Sequence, residues 1–558
     1  MVRRIIGVLT REIRGLHEAA YVLAIFSGFS QMLALLRDRT FAHLFGAGET
    51  LDVYFAAFRV PDLMFAVLTL FVSSFALVPL LSSRKEKDQG ALIGNILFAF
   101  GFFAAASVAI LWVVMPKLVP LLVPGFSDVQ IQETIMLSRI MLVQPLLLGI
   151  SSIASSVVQV MRRFVIYALA PILYNVGIIF GAFFFYPEFG LKGLAYGVVF
   201  GALLHAIAQT VSIVGHARHI RVPTVSSLRL SIMEVALPSM PRALALSSQQ
   251  FLMLVFTGIA SIAGVGAVSA LSFATNIQSV PLTVIGISYA AALFPALAAL
   301  FASGDRLSFA REVWASVRHV VFWTFPAITM MIVLRAHIVR VILGSGNFTW
   351  SDTRLTAALV ALFAISLIAQ SLMLIFSRAF YAAGKTLIPV IVNICGAIAA
   401  AMMAYFGVMW ISTAGTPRYF MESLFRVSDI PGVPSLMIPL AYSVSLIVTA
   451  LAFAYIFARR FGYEARVVDT FVHSSSASIL GASAAYAMLQ ALGPLLPTET
   501  FLGIFLQGLF AGIVGLIVWV LTLYLLRSDE LREIRIVMTE KILNSSLYSL
   551  LHGRKNNT

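Results

Sequence analysis

Long apolar stretches alternate with short polar gaps along the whole chain. Each stretch has about 20 or more mostly apolar residues, the length that an α-helix needs to cross the hydrocarbon core of a bilayer. Fourteen such stretches cover residues 19–36, 53–82, 91–115, 132–160, 165–187, 193–214, 230–259, 265–300, 313–334, 355–383, 387–411, 434–458, 469–492 and 500–526. The pattern therefore predicts an all-α integral membrane protein with 14 transmembrane helices.

Basic residues fall mainly into alternate gaps between these stretches. The N-terminal segment, the even-numbered gaps and the C-terminal tail hold 25 of the 38 lysines and arginines, whereas the odd-numbered gaps hold eight. Loops rich in lysine and arginine stay in the cytoplasm, so both termini are predicted to be cytoplasmic. Two termini on one side require an even number of spans, which agrees with 14.

Composition excludes several classes of protein. The chain is 60% hydrophobic and 11% charged, which is too apolar for a soluble fold of 558 residues. Its net charge of +14 lies largely in short cytoplasmic loops that face anionic head groups, so no nucleic-acid partner is indicated. The single cysteine, Cys395, excludes an intramolecular disulfide and a Cys-x-x-Cys metal site.

The chain contains a weak internal repeat. An offset of 218 residues aligns 44–48 (LFGAG) with 262–266 (IAGVG), Phe55-Ala56 with Phe273-Ala274, and 171–175 (PILYN) with 389–393 (PVIVN). Six spans separate the copies, and an even number indicates a parallel repeat of two six-helix lobes. The predicted segments are an amphipathic N-terminal segment (1–18), an N-lobe (19–228), a C-lobe (229–460), two extra C-terminal helices (461–528) and a cytoplasmic tail (529–558).

Polar residues inside the spans mark a candidate cavity between the lobes. A charge at the middle of a span costs roughly 2.5 to 3.5 kcal/mol, so it is usually kept for a partner or a substrate. The candidate substrate-binding residues are Arg37, Asp38, Arg39, Asp52, Arg59, Asp62, Arg242, Asn276 and Gln278. Two prolines, Pro61 and Pro281, remove backbone donors from their helices and are candidate hinges.

Each candidate also has a structural interpretation. Asp52, Arg59 and Asp62 fall within roughly 80° on one helix face, and Arg59 could simply neutralise Asp62. Arg37, Asp38 and Arg39 lie at a span end, where charges commonly anchor a helix at the membrane surface.

No catalytic or nucleotide-binding motif is present in the sequence. It lacks HExxH, GxGxxG, the Walker A motif and the nucleophile elbow. The expectation is a transporter rather than an enzyme, with no cofactor and no metal. Without an ATP site, transport must draw on an ion gradient, the membrane potential or consumption of the product.

Three segments resemble the MurJ/MviN family. Residues 26–65 (FSGFSQMLALLRDRTFAHLFGAGETLDVYFAAFRVPDLMF) resemble its first two helices. Residues 377–394 (SRAFYAAGKTLIPVIVNI) and 301–305 (FASGD) resemble its FY segment and the loop after the eighth span. The resemblance is collinear over nearly the whole chain. It implies a lipid II flippase of the multidrug/oligosaccharidyl-lipid/polysaccharide exporter superfamily, which moves the undecaprenyl-diphosphate-linked peptidoglycan precursor to the outer leaflet.

The family's pattern is only partly kept. The resemblance places Arg37, Asp38 and Asp52 at positions where the family has residues implicated in function, and Arg59 at a position where the family has a basic residue. Gln31, Phe65-Ala66 and Asn276 stand where the family carries arginine, and Lys385 replaces an aspartate. These changes suggest a divergent member, in which Asn276 and Gln278 can donate only uncharged hydrogen bonds to the diphosphate.

The resemblance also implies a location and partners. The expected place is the bacterial plasma membrane, the expected state is a monomer among membrane lipids, and other cell-wall synthesis proteins are expected partners. Na⁺ or the membrane potential is the expected driving force. Three alternatives stay open: a flippase for another polyprenyl-linked saccharide, a multidrug or cation antiporter, and a membrane glycosyltransferase. The basic character of the first two spans argues against the antiporter, and the outer loop at 412–433 offers only Glu422 and Asp429 to a glycosyltransferase.

Overall fold

The fold was analysed in a computed structural model, which describes residues 12, 16–213, 224–497 and 499–543. Most of the predicted amphipathic segment 1–18, and residues 544–558 of the predicted tail, lie outside the described residues. The described residues form helices joined by short turns, as the all-α prediction requires. Two π-helical segments (Gly181–Phe185 and Leu282–Ile287) and one 3₁₀ turn (Val433–Leu436) interrupt the α-helices.

The α-helices are numbered here in chain order. They are α1 (Leu16–Phe45), α2 (Glu49–Val72), α3 (Ser74–Ser82), α4 (Glu86–Leu122), α5 (Asp128–Met141), α6 (Val143–Val160), α7 (Phe164–Phe180), α8 (Tyr186–Phe189), α9 (Leu191–Val211), α10 (Val225–Ala263), α11 (Ala267–Pro281), α12 (Ser288–Ala302), α13 (Arg306–Val333), α14 (Arg335–Leu343), α15 (Trp350–Ala382), α16 (Leu387–Thr413), α17 (Gly415–Phe425), α18 (Met437–Phe461), α19 (Arg466–Leu492), α20 (Phe501–Leu525) and α21 (Asp529–Leu543).

Twelve helical segments in the described part of the chain are long and apolar enough to cross a membrane. They coincide with twelve of the 14 predicted stretches. The other two stretches, 19–36 and 469–492, lie in α1 and α19, which are helices of 30 and 27 residues. The structure thus shows an all-helical protein with twelve apolar spans, and the count of 14 stays a prediction.

The helices expose many large apolar side chains, as expected of a surface in contact with lipid. Val113 and Leu121 on α4 are 74% and 78% exposed, and Leu525 on α20 is 79% exposed. In water such a surface would be strongly unfavourable. Its abundance on the long apolar helices agrees with a membrane protein.

Two compact units divide the chain. The first contains Met1–Ile277, Ile342–Leu359 and Val390–Ser445, and the second contains Gln278–Val341, Val360–Pro389 and Leu446–Thr558. This division does not follow the boundaries 228/229 and 460/461 drawn from the repeat. The two six-helix lobes therefore stay a prediction.

Repeat-related positions meet within the first unit. The rings of Phe55 and Phe273, which are 218 residues apart, pack edge to face with centroids 5.5 Å apart. Gly266 has a φ of +82°, and a Cβ built on it would lie 2.6 Å from the carbonyl oxygen of Ala47 and 3.9 Å from the nitrogen of Gly48. Only glycine fits both this backbone conformation and this close approach. Contacts between positions 218 apart are what a two-fold-related pair of helices would make.

Candidate functional site

A buried aspartate organises the polar centre of the first unit. Asp38 on α1 is 1% exposed. Its Oδ1 accepts hydrogen bonds from Nε (3.0 Å) and Nη2 (2.8 Å) of Arg37, and its Oδ2 accepts one from Nδ2 of Asn276 (2.8 Å). The two predicted residues at the end of the first stretch therefore form a bonded pair that reaches α11.

Asn175 on α7 completes this group. Its Oδ1 accepts a hydrogen bond from Nη1 of Arg37 at 3.2 Å, and its Nδ2 donates to the carbonyl of Pro171 at 3.1 Å. Close packing of α7 on α9 fixes its place, because a Cβ on Gly177 would lie 2.3 Å from Cα of Gly201. Small residues at such crossings let two membrane helices approach closely.

Arg59 on α2 is held by hydroxyl groups. Its Nε donates to Oγ1 of Thr257 at 2.8 Å, and its Nη2 donates to Oγ of Ser272 at 3.2 Å. Its third nitrogen, Nη1, has no acceptor among the described residues. Arg59 also lines a small cavity, together with the hydroxyl-bearing residues Thr134, Ser138 and Thr257 and several apolar side chains. Arg59 therefore borders a cavity and keeps one donor without an acceptor among the described residues.

Asp62 lies near Arg59 without forming an ion pair with it. The two charges attract each other, but no nitrogen of Arg59 comes within 4 Å of the carboxylate in the described part of the chain. Asp62 also lies near Gln144 and within electrostatic range of Tyr54 and Tyr174. The interpretation of Arg59 and Asp62 as a mutually neutralising structural pair is thus only partly met.

Asp52 has a different role in this structure. It is 1% exposed, and its two oxygens accept hydrogen bonds from the backbone nitrogens of Gly266 (2.6 Å) and Ser269 (2.7 Å). These are amide groups at the start of α11, which have no partner within their own helix. A carboxylate at this end is also favoured by the helix dipole. Asp52 therefore caps α11 from a neighbouring helix, and its predicted contact with a substrate stays untested.

The remaining predicted residues lie apart from this centre. Arg39 donates to the carbonyl of Ile342 at 3.3 Å. Arg242 is exposed on α10 and makes no hydrogen bond or ion pair with a described residue. Gln278 belongs to the second unit, where it is buried and its Nε2 has no partner among the described residues.

The candidate hinges occupy different helical settings. Pro61 is buried inside α2. Pro281 is the last residue of α11 and is followed directly by the π-helical segment Leu282–Ile287. A proline and a π-segment both weaken the regular hydrogen bonding of a helix. The hinge role stays a prediction.

Arg37 and Arg59 lie among three carboxylates of α1 and α2, namely Asp38, Asp52 and Asp62. Arg37 is paired with Asp38, and Asp52 is used by backbone amides, whereas Arg59 is bonded only to hydroxyls. A charge of this kind inside an apolar helix is costly unless a counter-charge or a polar ligand compensates it. Arg59 lies near Asp62 but forms no direct ion pair among the described residues, so it is the side chain of this centre that an anionic group could contact. No group of three or more potential metal-ligating side chains occurs in the described ranges.

Sequence reasoning missed several members of this centre. The sequence shows Asn175 only as part of the repeated segment 171–175, and the available signal is a polar residue at a repeated position inside an apolar stretch. Tyr54, Thr257 and Ser272 carried no signal, because tyrosines and hydroxyl-bearing residues occur throughout the apolar helices.

Comparison with known proteins decides the family. The family model described as "Lipid II flippase MurJ" matches residues 41–510 of this chain. The chain belongs to the MurJ family. MurJ proteins are transporters, and the matched region contains the whole polar centre except Arg37 and Asp38.

Individual relatives agree with this membership. The "Lipid II flippase MurJ" of Burkholderia cenocepacia is 25% identical over 415 residues, which cover 72% of this chain and 80% of that protein. The "Probable lipid II flippase MurJ" of Buchnera aphidicola is also 25% identical, over 403 residues that cover 70% of this chain and 78% of the relative.

Solved structures share the fold. A structure described as "Lipid II flippase MurJ, inward closed conformation" matches with a TM-score of 0.70 at 20% identity, covering 90% of this chain and 99% of that one. An inward-facing multidrug resistance MATE family transporter of the MOP superfamily matches with a TM-score of 0.62 at 15% identity, over 77% of this chain and 95% of the other. Both likenesses are of fold alone, and they agree with the predicted superfamily.

Proposed function

We propose that this protein is a lipid II flippase. It moves the undecaprenyl-diphosphate-linked peptidoglycan precursor from the inner to the outer leaflet of the bacterial plasma membrane and so supplies cell-wall synthesis. The observation that carries the proposal is the MurJ family match over residues 41–510. The site adds a physical reason, because a guanidinium donor inside apolar helices, that of Arg59, suits the diphosphate of a lipid-linked sugar.

Two arginines are the proposed anchors of the diphosphate. Arg59 borders a cavity, and its Nη1 has no acceptor among the described residues, so this nitrogen can donate to a phosphate oxygen. Nη1 of Arg37 is bonded to an amide oxygen of Asn175 at 3.2 Å, and a phosphate oxygen is a stronger acceptor that can displace it. Hydrogen bonds to charged groups contribute roughly 1.5 to 3 kcal/mol each.

The missing family arginines change how this site works. Asn276 stands at one of those positions and donates to Asp38. An arginine there would add a charge, whereas the amide adds only a neutral donor. The proposed site therefore depends on fewer cations, and Asp38 and Asp62 orient or complete it rather than neutralise the substrate.

Transport is proposed to occur by alternating access. Two parallel six-helix lobes, residues 19–228 and 229–460, would rock about Pro61 and Pro281, with 14 spans in total and both termini in the cytoplasm. The contact of Phe55 with Phe273 supports a two-fold relation between the lobes. Spans 13 and 14, α19 and α20, would line a path for the long isoprenoid tail.

Other features of the proposal rest on the family alone. The protein acts as a monomer, and other cell-wall synthesis proteins are its proposed partners. An Na⁺ gradient or the membrane potential drives the transport, without a bound cofactor.

A depletion-rescue experiment tests the function. The chain is expressed in a bacterium whose own lipid II flippase can be switched off. Restored growth and lipid II translocation are expected. Failure to rescue at normal membrane abundance, with accumulation of another polyprenyl-linked saccharide when this protein's own gene is deleted, would instead support a flippase for that saccharide.

A further inference from the structure

The short helix α17, in the predicted outer loop at 412–433, exposes apolar side chains and buries a charged one. Tyr419, Phe420 and Leu424 are 70%, 62% and 54% exposed, whereas Met421 and Glu422 are buried. At 100° per residue the three exposed apolar residues fall within an arc of roughly 140°, opposite the two buried ones. A helix in contact with water would place the charged residue outside and the aromatic residues inside.

The charges of this helix are satisfied within the protein. Nε of Arg418 donates to Oε1 of Glu422 at 2.7 Å, one helical turn away. The exposed arc is therefore left with no charge of its own.

The orientation of the helix is fixed from outside the loop. Arg354, at the start of α15, donates to both carboxylate oxygens of Asp429 at 3.2 and 3.1 Å, and to the carbonyl of Arg426 at 3.3 Å. Arg426 ends α17 in a left-handed conformation with a φ of +58°. These contacts belong to one compact unit, so the apolar arc is held outward and does not turn inward.

The position of α17 identifies what covers this arc. The membrane-spanning helix α16 ends at Thr413 and α17 begins at Gly415, so one residue separates them. Near its end, α16 exposes Phe406 and Trp410. Tyrosine and tryptophan concentrate at the boundary between head groups and acyl chains. The helix thus begins at the level of that boundary and continues an exposed aromatic surface.

We propose that α17 is an interfacial helix whose Tyr419, Phe420 and Leu424 insert into the outer-leaflet boundary of head groups and acyl chains. It ties the ends of α16 and α18 to the membrane surface. Since its charges are paired internally, its insertion depends on apolar burial and not on anionic lipids. The proposal concerns membrane contact and does not depend on which lipid is transported.

Depth-dependent quenching tests this proposal without measuring transport. Cys395 is replaced by serine, and a single cysteine at Phe420 or Leu424 carries an environment-sensitive fluorophore in the purified full-length chain. The protein is reconstituted in uncharged phosphatidylcholine vesicles. The matched control is a label at Glu499, an exposed residue in the predicted outer loop between α19 and α20.

We expect head-group nitroxide lipids to quench the labels at 420 and 424 at least threefold more than aqueous iodide does, also in 1 M salt. The label at 499 should show the opposite preference. Equal iodide quenching at 424 and 499 would overturn the proposal and point to a soluble partner. Protection of the labels from both quenchers would also overturn it, because the protein itself would then cover the face.

A second variant guards against a local effect of labelling. A label at Ser423, which lies in the same exposed arc, should be quenched by lipid in the otherwise natural helix. It should move to water when Phe420 and Leu424 are both changed to asparagine. No change between the two backgrounds would mean that these side chains do not hold the helix in the membrane.

Discussion

The carboxylate of Asp52 should hold two repeat-related ends together. It accepts hydrogen bonds from two backbone amides at the start of α11, in the same region where Gly266 meets Ala47. Replacing Asp52 with asparagine keeps one acceptor oxygen but turns the other acceptor into a donor that faces an N–H group. One charge-assisted bond is weakened, and one buried N–H loses its partner.

The cost of this change can be worked out from these two contacts. A buried donor without a partner costs about 1 to 3 kcal/mol, and loss of the charge removes roughly half the strength of the other bond. The closed arrangement should therefore lose about 2 to 4 kcal/mol relative to an arrangement in which these ends separate. That free energy corresponds to a shift of roughly 30- to 1000-fold in the equilibrium.

Alkylation of a buried thiol measures this shift. Ser269 is fully buried, and Ser269→Cys in a Cys395→Ser background reports opening through its reaction with a membrane-impermeant maleimide. Asp52→Asn should raise the labelling rate at least 30-fold by the estimate above. Glu49→Gln is the matched control, because Glu49 is an exposed acid in the first turn of the same helix. A rate within twofold of the parent for Asp52→Asn would refute the role of this cap.

Three further outcomes are expected. A membrane-impermeant thiol reagent added outside should label a cysteine at Glu499 and spare one at Arg460, and the reverse would overturn the proposed topology. Asn276→Ala removes a 2.8 Å hydrogen bond to the buried carboxylate of Asp38 and should lower flippase rescue several-fold at equal abundance. Asn276→Gln should retain part of the rescue. Equal rescue by the two variants would contradict a role for this hydrogen bond. The hydrogen bonds from its arginine partner hold the pKa of Asp429 below its ordinary value. The stability that this pair contributes is thus fully present above the ordinary pKa of an aspartate, and it is lost as the pH falls through the lowered pKa of Asp429. Nitroxide labels on α17 should therefore show no mobility change from pH 7 to 5. A mobility change in that pH range would contradict the pairing.

Much of the fold could be predicted from the sequence, because long apolar stretches have few alternatives to membrane helices. The stretches at 19–36 and 469–492 are helical as well, in α1 and α19, although they are not among the twelve apolar spans. The sequence also placed Arg37, Asp38 and Arg59 in the centre, since charges are rare inside apolar helices.

Partners of these charges could not be predicted. Asn276 meets Asp38 across 238 positions, and Asp52 meets the amides of α11 across 214 and 217. Such contacts depend on how helices cross, and helical periodicity carries no information about crossing. A carboxylate that caps another helix has the same local sequence as one that faces a ligand.

Arg37 on α1 and Arg59 on α2 are proposed to hold the diphosphate of lipid II. Arg37→Gln/Arg59→Gln removes both charges and leaves an amide that can still donate to Asp38. Arg418→Gln, which removes an arginine from a partly exposed pair in the outer loop, is the matched control.

Arg59 could also act only as a partner of Asp62. The swapped variant Arg59→Asp/Asp62→Arg keeps both charges but moves the cation along the helix, away from Thr257 and Ser272. Flippase activity in this variant should fall with that of the double glutamine variant.

The deciding measurement is lipid II translocation in the depletion strain, with each variant at the membrane abundance of the parent chain. We expect translocation by the parent and by Arg418→Gln, and at least a tenfold loss in Arg37→Gln/Arg59→Gln, since one lost charge-assisted bond already corresponds to about that factor. Parental translocation by the double glutamine variant or by the swapped variant would contradict this expectation.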